Sequence, residues 1–165
     1  MTITFDKINY RELADTTDPI VAINNREGWY LSQNKIKLNQ LSVTHTNLGN
    51  VTNVPTGFLY VGFHGADIKV LDSKFINISR PIMIKNTYKN TNKQGVKFNM
   101  LINKCIFIGC YAQENGGAVY IEINEYDLPF FYAYINIIYS HFVHNKASTE
   151  GGAIYINPRR SEMYG

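Results

Sequence analysis

Four histidines, two cysteines and 13 acidic residues are the side chains of this 165-residue protein with most scope for chemistry, and their spacing limits what they can do. His141 and His144 are three apart; on a strand, positions i and i+3 point to opposite faces, so the pair cannot chelate one metal unless a corner intervenes. The segment "GFHGAD" (62–67) brings His64 and Asp67 together, short of the several carboxylates that glycan cleavage needs on one face. Cys105 and Cys110 are five apart, neither a CxxC motif nor a zinc pair. They read as small buried apolar residues, with a disulfide across a corner as the alternative. Gly151-Gly152 is followed by an apolar strand-like run, without the helix and Lys-Ser/Thr pair of a phosphate loop. No catalytic residue, metal ligand or cofactor is therefore assigned, and an enzyme is the less favoured reading.

The elements that hold these residues repeat. "CIFIGCYAQENGGAVYIEI" (105–123) lies over "SHFVHNKASTEGGAIYINP" (140–158) without a gap: Phe107 on Phe142, Gly116 and Gly117 on Gly151 and Gly152, Tyr120 on Tyr155. Upstream the frame continues at a spacing of about 32. Ile36, Ile68, Met100 and Ile135 align, as do Leu38, Val70, Ile102 and Ile137, then Val43, Phe75, Phe107 and Phe142; Ile3 and Phe5 suggest an earlier, degenerate copy. Apolar residues alternate with polar ones at period two, the strand period. Three short strands per copy, typified by 98–102, 105–108 and 118–123, are expected. No helix is expected.

Copies with no Asn-Gly or Asp-Gly hairpin turn pair poorly as hairpins. They are satisfied if each strand lies parallel and in register on its counterpart in the previous copy. The fold expected is all-β: a right-handed parallel β-helix (solenoid) of four to five coils. Residues 1–21 are expected to form a capping or lead-in segment, 22–158 the coils, and 159–165 a tail of a chain that continues. The Gly-Gly pairs are expected at a tight corner, and Asn145 at another, in left-handed backbone with its amide donated into the turn.

"FVHN" (142–145) followed by "GGAI" (151–154) resembles the FxxN and GGA(I/L/V) repeats of chlamydial polymorphic outer-membrane proteins and of large protist surface proteins, of the pectin-lyase-like right-handed β-helix class. The copy before it matches in part, with Cys110 at the Asn position. Further upstream only Phe75 fits, with Ile78 at that position. The resemblance implies a passenger or adhesin-like surface segment of a longer chain, without catalysis. The repeat signature itself is Phe75, Phe107, Phe142, Asn145, Gly116, Gly117, Gly151 and Gly152.

Binding is the remaining function to place. The frame stacks outward residues in rows, Lys35, Asp67, Asn99, Tyr134 and Lys37, Lys69, Leu101, Asn136, so that the two rows hold one acid. Lys37 beside Lys69 is a candidate grip on an anionic glycan, with two solvated, splayed lysines as the plain alternative. Tyr60, Tyr120 and Tyr155 are expected as an outward aromatic ladder. The insertions at 86–95 and 125–132 interrupt the coils, and Phe130 and Phe131 in the second are candidate partner contacts. The formal charge of +3 is mild and scattered, so no nucleic-acid partner is expected. No window is apolar enough to span a membrane, and the N-terminus lacks the apolar core of a secretory signal. Two sequons, at Asn50 and Asn77, matter only if the protein is secreted. The partners expected are other protein chains or further coils at the ends, and a glycan on the faces. The favoured reading is a structural or adhesive segment, extracellular or at the cell surface if it belongs to a secreted chain. The rivals are a carbohydrate-active or acidic-glycan-binding β-helix and an intracellular assembly subunit of a large complex.

Overall fold

The computed structural model describes residues 2–11, 21–24, 34–44, 58–62, 66–86, 96–124 and 131–159, apart from some side chains at strand ends, those of Tyr60 and Phe131 included. Among these residues all helical or strand structure is strand. The strands fall into five successive rounds. The first holds β1 (Thr2–Asp6), β2 (Asn9–Arg11) and β3 (Val21–Asn24), and the second β4 (Asn34–Asn39), β5 (Ser42–Thr44) and β6 (Leu59–Gly62). The third holds β7 (Ala66–Leu71), β8 (Lys74–Ile76) and β9 (Ile82–Asn86). The fourth and fifth each add a short strand: β10 (Val96–Asn103), β11 (Ile106–Ile108), β12 (Tyr111–Ala112) and β13 (Val119–Asn124), then β14 (Phe131–Ile138), β15 (His141–Val143), β16 (Lys146–Ala147) and β17 (Ile154–Arg159).

Each round contributes one strand to each of three five-stranded sheets, in the orders β1-β4-β7-β10-β14, β2-β5-β8-β11-β15 and β3-β6-β9-β13-β17; β12 pairs with β16. Every strand pairing is parallel. The expected register is observed: Ile36, Ile68, Met100 and Ile135 are successive partners, and Ile3 and Phe5 pair with Ile36 and Leu38. Because alternate residues share a face, these columns meet inside as one apolar core that Leu59, Ile82 and Val119 join from the third sheet. Phe75, Phe107 and Phe142 stack with centroids 5.1 and 4.8 Å apart and rings within 11° and 4° of parallel.

The corners are built from left-handed backbone in columns. Between the first and second sheets stand Lys7, Gln40, Asp72, Lys104 and Tyr139, all with φ between 47° and 53°. That conformation costs a non-glycine residue about 1–2 kcal/mol. The orientation it gives the N–H offsets part of this in the first four, which donate to the next round: Lys7 to Asn39 O (3.0 Å), Gln40 to Leu71 O (3.1 Å), Asp72 to Asn103 O (3.0 Å) and Lys104 to Ile138 O (3.2 Å). At the next corner the column is Asn77, Gly109 and His144. Left-handed backbone thus falls on His144, not on Asn145 as the sequence suggested. The reason lies across the layer: Asn145 Oδ1 accepts from Cys110 N (2.8 Å) and its Nδ2 donates to Phe107 O (3.1 Å). The amide clamps its own round to the one before.

Candidate functional site

The outer face of the first sheet is assembled as the frame required. Lys35, Asp67, Asn99 and Tyr134 are successive register partners, and so are Lys37, Lys69, Leu101 and Asn136. Lys69 is exposed and Lys37 half-buried. Asp67 is the one acid in these two rows, and among the described residues no group of three or more His, Cys, Asp or Glu side chains is placed to hold a metal. His141 and His144 are both exposed, at either end of the β15 segment. Phe130 and most of the two insertions lie outside the described residues. Phe131 opens β14 opposite Val96.

On the third sheet the expected aromatic ladder is corrected. Met83 separates Tyr60 from Tyr120 in the register, so the row runs Tyr60, Met83, Tyr120, Tyr155. Tyr120 does stack on Tyr155 (5.3 Å, 19°), but it is only 8% exposed and offers no open platform. The Arg80 guanidinium lies 4.7 Å from its ring centroid, a cation–π contact. Its hydroxyl donates to Glu122 Oε2 at 2.6 Å, and Lys85 Nζ stands 3.4 Å from the same oxygen. Burial and then the Glu122 hydrogen bond push the Tyr120 phenol well above its ordinary range. Arg80 also reaches Glu114 at 3.6 Å, but that carboxylate is 78% exposed and the pair is screened. Arg80 Nε is buried with no hydrogen-bond partner. The cluster thus locks β9 to β13 through a buried carboxylate, a phenol and two cations.

Arg80, Lys85 and Glu122 were not foreseen from the sequence. Lys85 and Glu122 are register partners, a signal that exists only once β9 is aligned with β13. That alignment is hidden because the third round has no Gly-Gly pair to mark its corner. Arg80 takes that place with φ 42° and donates its N–H to both Tyr111 O (3.0 Å) and Gly117 O (3.2 Å).

The cysteines are free and buried. Burial raises the thiol pKa from 9.0 to about 11 for Cys105 and about 12 for Cys110. Cys105 does the work of a serine: its Sγ lies 3.4 Å from Asn103 O, as Ser73 Oγ lies 2.6 Å from Leu71 O and Ser140 Oγ 3.0 Å from Ile138 O. These are low-reactivity structural thiols.

Residues 140–157 match the Chlamydia polymorphic membrane protein repeat family. That span runs from Ser140 through β15, β16 and the Gly-Gly corner into β17. No curated protein and no solved structure matches the chain.

Proposed function

We propose that the chain is a right-handed parallel β-helix segment of a larger surface protein, structural or adhesive in role and without chemistry of its own. The observation that carries this reading is the columnar register: residues of one kind stand over one another through three sheets, and the round with the clearest motif is the one that matches a membrane-protein repeat. Returns to a parallel strand of the same sheet are right-handed in about 98% of cases, which favours that hand here. The match to a membrane-protein repeat supports a place at a cell surface. Binding is assigned to the outer faces, to protein or glycan, with Lys37 and Lys69 as the basic pair.

Polysaccharide digestion tests the non-catalytic part. Incubation with acidic and neutral polysaccharides is expected to release no reducing or unsaturated ends. Turnover that disappears in Asp67→Asn would replace this reading with a carbohydrate-active one. For the adhesive part, loss of anionic-glycan binding in the Lys37→Ala/Lys69→Ala double variant is the expected result, and unchanged binding would remove the basic pair from the proposal.

A further inference from the structure

The outer face of the second sheet departs from the pattern in which an outward, wet strand position is polar. Phe75, Phe107 and Phe142 point into the core, so the residues on either side of them point out. One outward row runs Ile76, Ile108, Val143 and the other Lys74, Ile106, His141, each in register. Ile76, Ile106 and Ile108 belong to interior rounds, are partly exposed and lie outside the apolar core. Their exposure is therefore no consequence of where the stack stops, and further coils on the last round would lengthen the two rows without covering them. The third sheet shows the opposite case, since its outward Tyr120 and Glu122 are each only 8% exposed.

Cations rim this aliphatic strip. Lys74 lies in it, Lys104 stands at the first corner and Lys146 just past the second, all exposed. The face and its first corner comprise residues 7–11, 40–44, 72–76, 104–108 and 139–143. These segments hold four of the 16 Lys and Arg residues and one of the 13 Asp and Glu residues, Asp72, which leaves 12 of each for the rest of the chain. The whole formal charge of +3 thus falls on this one surface.

We infer that this face docks an acidic amphipathic helix of a partner protein, lying along the stack. Docking here rests on the reading that the outer faces bind, and names a partner for one of them. Spacing favours a helix. Layers about 4.8 Å apart present Ile76, Ile108 and Val143 as a line, and the apolar residues of an amphipathic helix recur about every 5.4 Å along its axis, a slip of about 1 Å over three layers. Acidic residues on the helix flanks would meet Lys74 and Lys104 on one side and Lys146 on the other. A second copy meeting this face with its own would oppose lysine to lysine. A polyanion without apolar groups would leave the aliphatic row in water, and partly exposed isoleucines beside longer lysines reach poorly into a bilayer.

The probe is a labelled synthetic peptide with Leu at i, i+3, i+4 and i+7 of a helix and Glu on both flanks, titrated with the full chain. A scramble of the same composition, heparin and phosphatidylserine vesicles are run beside it. Saturable binding of the amphipathic peptide is expected, weakening with salt, and the scramble should bind about tenfold more weakly. Ile76→Thr/Ile108→Thr keeps the β-branched shape but puts a hydroxyl in place of an ethyl group at each position, and is expected to lose about tenfold. Lys74→Glu/Lys104→Glu should lose at least as much, and carries the test if the isoleucine variant fails to fold. Lys37→Ala/Lys69→Ala, on the first sheet, should bind the peptide as wild type does. Docking is overturned if peptide and scramble bind equally, if both second-sheet variants bind as wild type, or if binding falls in the first-sheet variant instead. A chain that takes heparin or vesicles but not the peptide overturns it too, while leaving the outer faces as binding surfaces; a chain that takes none of the probes removes both.

Discussion

The fourth and fifth rounds carry the same motif in the same register, yet one is interior and the other terminal. Their glycine pairs separate two reasons for the same residue. Gly116 and Gly151 have φ of 68° and 62°, and a Cβ on either would strike a carbonyl of its own corner, Val119 O or Ile154 O. That requirement is local. Gly117 and Gly152 lack positive φ: a Cβ on Gly117 would collide with Gly152 O and with Lys146 O, whereas one on Gly152 would meet only Asn145 O at an ordinary 3.5 Å. The second glycine is demanded by the layer stacked on it, not by the turn it sits in.

The largest test of this contrast is in the aromatic stack. Phe107→Ala empties a site closed on both sides and is expected to cost about 3–5 kcal/mol, while Phe142→Ala, half-buried, should cost about half as much. Urea denaturation of the two variants gives the comparison, and equal costs would mean that the last round is as well covered as the fourth. Next, Gly117→Ala is expected to lose about 1–3 kcal/mol, a typical overpacking penalty. Gly152→Ala should stay within about 0.5 kcal/mol of wild type, as an unconstrained site does. Asn145→Ala removes two bonds to the fourth round and leaves Cys110 N to seek another acceptor, so about 1–3 kcal/mol is expected, measurable in the same way.

The effect confined to alkaline pH is expected from the thiols. Their folded pKa values lie above the unfolded 9.0, so the unfolded state loses protons first as pH rises. Stability from this source is complete below pH 9 and falls as pH climbs toward 11–12. Urea midpoints between pH 8.5 and 10 should decline, and the decline should be shallower in Cys105→Ala/Cys110→Ala. An unchanged slope would detach the thiols from it.

The columns of the first and second sheets were legible in the sequence because a buried column selects one residue type at a fixed spacing, as Phe75, Phe107 and Phe142 do. The third sheet was less legible. Without a Gly-Gly marker in the third round, nothing in the chain announced that Met83 would stand between Tyr60 and Tyr120, or that Lys85 would meet Glu122. The buried charge cluster followed the same fate, since polar residues on an outward face carry no sign of being covered. The left-handed residue at the second corner was misplaced by one because Asn is the common occupant of that conformation. Here a histidine takes it and the asparagine beside it reaches across the layer.

The first corner column has a consequence for how this surface can vary. Lys7, Gln40, Asp72, Lys104 and Tyr139 are all exposed, all hold the same backbone shape, and share no chemical type. Main-chain bonds to the next round hold Lys7, Gln40, Asp72 and Lys104 in place. The column is a rack with evenly spaced pegs, on which charge, amide or ring can be exchanged while the scaffold behind it stays unaltered, so a new pattern for a partner to read needs no new fold.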